Sequence, residues 1–251
     1  MKRCVRSILK KELQEWFSGG FSGRYGRYEF AVYAALIGVA VPIIASFSSH
    51  KHGSTGSFEI GYASVIPIVV MLYSIADATA GERERGTIEY LCSLPLSSRE
   101  IVLGKWLAAV VYVGCLYVAV TVLTSLTTYI LRQPLPPFRI IVSLQLGGYA
   151  ASIVLGAVQS VFAMRFTSVK NAVIAGNVVF AAGIFSVTQF GDFTNSVLRK
   201  FEATSPQLMH LLGSWVALQG LLLFGVLVGS IALLFSIRYL DRIRLQISLL
   251  G

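Results

Sequence analysis

The groups able to do acid–base, nucleophilic or metal chemistry are few: three histidines, three cysteines and twelve acidic residues among 251. His50 and His52 flank Lys51 and have the spacing to share an ion, but two imidazoles without carboxylate or thiol company read more simply as an exposed polar loop. No His-Glu-x-x-His run is present to build a zinc hydrolase. Cys4, Cys92 and Cys115 form neither a Cys-x-x-Cys pair nor a disulfide framework. The fragment Leu103-Gly104-Lys105-Trp106 imitates the end of a phosphate-binding loop. Arg99 stands where its first glycine is needed, and Trp106 replaces the serine or threonine that would hold Mg²⁺. The sequence thus predicts no catalytic residue, no metal site and no cofactor held by this chain.

Charge is concentrated instead, in Gly81–Lys105. Five of the twelve acidic residues fall between Asp77 and Glu100, and four basic residues between Arg83 and Lys105. Gly86 interrupts the charged run Glu82-Arg83-Glu84-Arg85, and Thr87 has the side chain of a helix N-cap for a short piece running to Leu94. Ile88, Leu91 and Cys92 share one face of that piece, and Pro95 stops it, because the residue before a proline avoids helical geometry. Ser97-Ser98-Arg99-Glu100 is a capping box that opens the next helix. A short amphipathic helix at the membrane surface follows, shaped for a groove in another protein.

The elements that carry this stretch are apolar enough for lipid. The chain is 55% hydrophobic and 13% charged, with a mean hydropathy of +0.71, against roughly 25% charge in a soluble domain. A helix needs about 20 mostly apolar residues to cross a bilayer, and six stretches qualify, at about 30–47, 62–80, 106–130, 140–164, 171–190 and 212–237. Sixteen Lys and Arg lie on the side of both termini, the 81–105 loop and the loop after the fourth span; five lie on the other side. That bias predicts cytoplasmic termini and a cytoplasmic central loop, and it accounts for the net charge of +9 without nucleic acid. Met1 to Lys11 is too basic and interrupted for a cleavable signal peptide.

Before the first span, Val5, Ile8, Leu9, Leu13, Trp16 and Phe17 recur at helical spacing, with Lys10, Lys11, Glu12 and Glu15 between them. This pattern predicts an amphipathic helix within residues 1–29, lying in the interface with Trp16 and Phe17 dipped toward the acyl chains. On the outer side, residues 191–210 are expected to form short helices resting on the leaflet, and Ser205-Pro206 to start the last helix. Gly148, Ser152, Gly156 and Ser160 in the fourth span, and Gly225 and Gly229 in the sixth, are stripes of small residues that admit a close helix neighbour. That neighbour is either another span of the same chain or a second subunit. Of the polar residues within spans (Asp77, Gln145, Gln159, Asn177, Gln189, Gln219), only Asp77 is ionisable; it lies near a span end and can pair with Arg83 or Arg85.

The run Gly81–Lys105 resembles the signature of ABC-2 type transporter permeases, Glu-x-x-x-Gly-Thr-Leu/Ile-Glu-x-Leu followed by Leu-Pro, Ser/Thr, Arg-x-Glu and Gly-Lys. The matching positions are Glu82, Gly86, Thr87, Ile88, Glu89, Leu91, Leu94, Pro95, Ser97, Arg99, Glu100, Gly104 and Lys105. In architecture the chain is similar to the small six-span permeases of the NosY and NatB type. The resemblance implies an all-α integral membrane protein in which residues 1–251 form one permease domain, with an interfacial N-terminal helix and a coupling helix at Gly86–Pro95 between spans 2 and 3. It implies a multi-pass protein of the cytoplasmic (inner) membrane and an exporter, in which two permease subunits, expected to be identical, surround a path through the lipid. Each would dock on a separate ATPase chain that supplies ATP and Mg²⁺. Glu82, Arg85, Gly86, Thr87, Ile88, Glu89, Leu91, Leu94 and Pro95 would make the coupling contact, and Glu82, Arg83, Glu84 and Arg85 would form ion pairs on the ATPase.

Two other classes compete. A membrane-embedded enzyme needs a catalytic set, which the residues do not supply. A secondary transporter working without an ATPase needs broken helices and charges at the midplane of paired halves, whereas the acidic residue within a span is near its end.

Overall fold

The computed structural model describes residues 2–18, 35–40, 43, 57–131, 138–182 and 206–250. Every regular element among them is a helix: α1 (Lys2–Ser18), a π-helical segment (Leu36–Ala40), α2 (Ser57–Glu84), α3 (Ile88–Ser93), α4 (Ser98–Ile130), α5 (Phe138–Arg165), α6 (Val169–Ala182) and α7 (Pro206–Leu250). Among the described residues, Ser98–Ile130 and Gln145–Arg165 are long and apolar enough to cross a bilayer, and Val169–Ala182 is a shorter apolar helix. Most of the expected first span, the expected outer helices at 191–205, and His50 and His52 lie outside the described residues.

The helix of the third apolar stretch opens at Ser98, where its capping box predicts: the Ser97 hydroxyl accepts from the Glu100 N–H, and the Glu100 carboxylate accepts from the Ser97 N–H at 3.0 Å. The last helix does not stop near 237. It runs 45 residues to Leu250, about 68 Å at 1.5 Å per residue, more than twice a hydrocarbon core of about 30 Å.

In lipid, apolar area gives helices no reason to associate, so close packing and hydrogen bonds must do it. The small residues of α5 face two neighbours. Gly156 lets α2 come so close that an added Cβ would stand 2.9 Å from Ile75 Cδ1, while the Ser160 hydroxyl meets that of Ser236 on α7 at 2.7 Å. Buried Ser152 donates to the Gly148 and Tyr149 carbonyls of its own helix. On α7, Gly225 and Gly229 lie against Val154 and Ala157 of α5. These stripes therefore hold the chain's own helices together. The central cluster unites Met71 and Ile75 of α2 with Tyr112, Val113 and Leu116 of α4 and Ala163 of α5.

The N-terminal helix corrects the expectation that its tryptophan reaches the acyl chains. Trp16 is 3% exposed and packs on Tyr112 of α4, with ring centroids 5.5 Å apart and planes tilted by 60°. Ile8 sits on Gly104, and Leu9 and Leu13 join the central cluster. The apolar stripe of α1 is thus spent on α4. The side chain of Phe17 lies outside the described residues.

Candidate functional site

Around residues 77–100 the charged end of the bundle is drawn together. The end of α2 is shaped by Gly86, whose φ of +71° is left-handed. The Thr87 N–H reaches the Glu82 carbonyl at 2.8 Å and the Gly86 N–H the Arg83 carbonyl at 3.1 Å, the pair of bonds that closes a helix on a left-handed residue. A Cβ at Gly86 would meet nothing within 4 Å, so the requirement for glycine is conformational. We expect Gly86→Ala to cost roughly 1–2 kcal/mol, read by thermal unfolding in nanodiscs. Gly147→Ala, a helical site with open space around it, should cost nothing.

Thr87 occupies the N-cap position of α3, but its side chain caps nothing. Its hydroxyl turns back to the Glu82 carboxylate and carbonyl, because the tight closure at Gly86 brings the end of α2 within its reach. This corrects the capping role expected of it. Pro95 ends α3 as its type requires, with Leu94 extended at φ −66°, ψ 146°. The apolar face of the helix is turned inward. Ile88, Leu91 and Cys92 pack inward on Ile101 and Val102 of α4, Met164 of α5, and Ile237 and Leu240 of α7. Glu89 and Tyr90 face outward, Tyr90 with 69% of its surface exposed.

The flanking charges are used within the chain. Lys105 is 6% exposed, and its ammonium has three acceptors for its three N–H groups: Glu12 at 2.8 Å, the Ala78 carbonyl at 2.5 Å and Glu82 at 3.4 Å. Glu12, which the sequence pattern places on a wet face of α1, is buried against it. Lys11 lies 3.9 Å from Glu82 on the other side. Burial alone would push the Glu82 carboxyl up; Lys105, the Thr87 hydroxyl and Lys11 outweigh it and hold the group below the ordinary glutamate range.

Neighbouring charges grip the other helices. Arg85 pairs with Asp77 at 2.9 Å, beside Gly81, where a Cβ would stand 3.0 Å from the Asp77 carboxylate. Arg83 donates to the Met164 carbonyl at the C-terminal end of α5, and the Glu84 carboxylate accepts the Val169 N–H at the start of α6 at 3.0 Å. Two adjacent side chains thus hold opposite ends of the α5–α6 turn, each with the charge that its helix end favours. Glu82, Arg83, Glu84 and Arg85, expected to form ion pairs on the ATPase, each have a partner within this chain.

From α7, Arg244 donates to the Cys92 carbonyl at 3.0 Å and to the Leu94 carbonyl at 2.9 Å. Local pattern could not reveal Arg244 or Glu12 in these roles, since both read as ordinary solvated charges. The described residues hold no cluster of three His, Cys, Asp or Glu suited to a metal.

Residues 26–241 match the family model described as ABC-2 family transporter protein, and the chain belongs to that family. It is therefore a membrane protein and a permease of an ABC transporter. Subunits of this family are typically non-catalytic and work with an ATP-binding partner. No curated protein compared with the chain is significantly similar to it.

Proposed function

We propose that the chain is the permease subunit of an ABC exporter and that α3 is its coupling helix, docked on a separate ATPase. One observation carries this reading. α3 offers Glu89 and Tyr90 outward, while its inner face and flanking charges are fastened to α1, α2, α4, α5, α6 and α7. A push on the outer face is delivered to the ends of all these helices at once, which is what rigid-body transmission requires. Gly86, Thr87, Leu94 and Pro95 shape the segment, Ile88 and Leu91 seat it, and Glu82 and Arg85 anchor it. Glu89 and Tyr90 make the partner contact.

In this reading residues 1–251 are one domain with six spans, the charged end and both termini face the cytoplasm, and two identical permeases line the path. The membrane is the cytoplasmic one, and ATP and Mg²⁺ are bound by the partner. The test is recovery of an ATPase with tagged protein from native membranes in mild detergent. Wild type should bring it down, and Glu89→Arg, an exposed position whose side chain makes no hydrogen bond or ion pair among the described residues, should lose it. If no ATPase comes with wild type in several mild detergents, the coupling reading fails.

A further inference from the structure

We propose that Arg244, on the part of α7 beyond the apolar stretch, is a positioning residue for the coupling helix, and that it makes α3 and α7 move as one body. The inference rests on the coupling role of α3 proposed above. α3 is only six residues long, too short to hold its own shape in water, and its last carbonyls would be left without intrahelical partners. Arg244 supplies them from a helix 150 residues away in the chain: Nε and Nη2 reach the Cys92 carbonyl at 3.3 and 3.0 Å, and Nη2 reaches the Leu94 carbonyl at 2.9 Å.

A guanidinium is suited to this because its N–H groups lie in one rigid plane and reach two acceptors together. Its charge also matches the negative C-terminal end of α3. Below the clamp, Leu91, Ile88 and Cys92 sit against Ile237 and Leu240 of the same helix. The two elements are thus joined by apolar packing on one side and by charge-assisted bonds at the end. α7 is continuous from Pro206 to Leu250, so a displacement of α3 is handed directly to the far end of the longest helix. The link through Lys105 runs to α1, α2 and α4; the Arg244 link adds a second, independent connection.

The test compares Arg244→Gln and Arg244→Lys with wild type in the complex purified from native membranes. Amide hydrogen exchange of 86–97 should rise at least about tenfold in Arg244→Gln, with 108–120 of α4 unchanged. Arg244→Lys, which keeps the charge but loses the planar pair of donors, should fall between. ATP turnover by the recovered complex should drop in kcat with KM for ATP unchanged, since the nucleotide site is untouched, and Arg244→Lys should restore part of it. Unchanged exchange at 86–97 in Arg244→Gln overturns the clamp. Raised exchange with unchanged kcat overturns its part in coupling. Absence of any ATPase with wild type overturns the coupling reading itself, and the positioning role with it, whatever the exchange shows.

Discussion

Lys105→Met is expected to destabilise the protein by about 3–5 kcal/mol, the range for removing one partner from a buried ion cluster. The side chains of Glu12 and Glu82, the carboxylates left behind, are 4% and 12% exposed, so they recover little of their hydration. The loss is electrostatic rather than a matter of volume, because methionine fills nearly the same space. Replacing all three charges together, Glu12→Gln, Glu82→Gln and Lys105→Met, should therefore regain most of the stability. The pH dependence distinguishes the cause further. In wild type Glu82 titrates below its unfolded value, so its contribution is present above the ordinary carboxylate range and is lost as pH falls below that range through the folded value. In Lys105→Met the strongest influence opposing burial is gone, and the acid-induced loss should shrink. Thermal unfolding in nanodiscs from pH 8 down to about pH 2, with the single and triple variants side by side, checks both statements.

Gly104→Val should detach α1 from α4. An added Cβ at Gly104 would lie 2.9 Å from Ile8 Cβ and 2.7 Å from Ile8 Cγ2. Both atoms belong to a stiff β-branched side chain that cannot rotate away cheaply. Overpacking of this kind costs about 1–3 kcal/mol, and here it also pulls Glu12 from Lys105 and Trp16 from Tyr112. Hydrogen exchange across residues 2–18 should rise, and Ile8→Ala in the same chain should largely restore it. Because Gly104 and Lys105 act on one contact, Gly104→Val combined with Lys105→Met should cost less than the sum of the two.

What could be read from the sequence was chemistry that acts over a few residues. Gly86, Pro95 and the Ser97–Glu100 box each act on their own backbone, and the structure places a left-handed turn, a helix stop and a capping box there. Hydropathy likewise marks the helical stretches, though not where they end: α4 starts on its cap, ahead of its apolar part, and α7 continues past its own. Local spacing also offers Asp77 the partner Arg85 that it takes; what could not be read was which distant charge meets which. Glu12 and Lys105 are 93 residues apart, and Arg244 and Leu94 150 apart. Nothing in a helical wheel separates a glutamate that will be buried from one that stays wet. The inward turn of Ile88 and Leu91 was hidden for the same reason, since an amphipathic face does not say whether its partner is the same chain or another.

The order of these contacts along the chain bears on how the protein is made. The cluster of Glu12, Ala78, Glu82 and Lys105 can form as soon as α4 has begun to emerge, before α5, α6 or α7 exists. The clamp on α3 needs residue 244, so it closes only after α1 to α6 have been synthesised. A nascent or prematurely terminated chain therefore carries an α3 that is anchored at one end and loose at the other. On the coupling reading proposed above, such a chain would dock less firmly on an ATPase than one translated through Arg244.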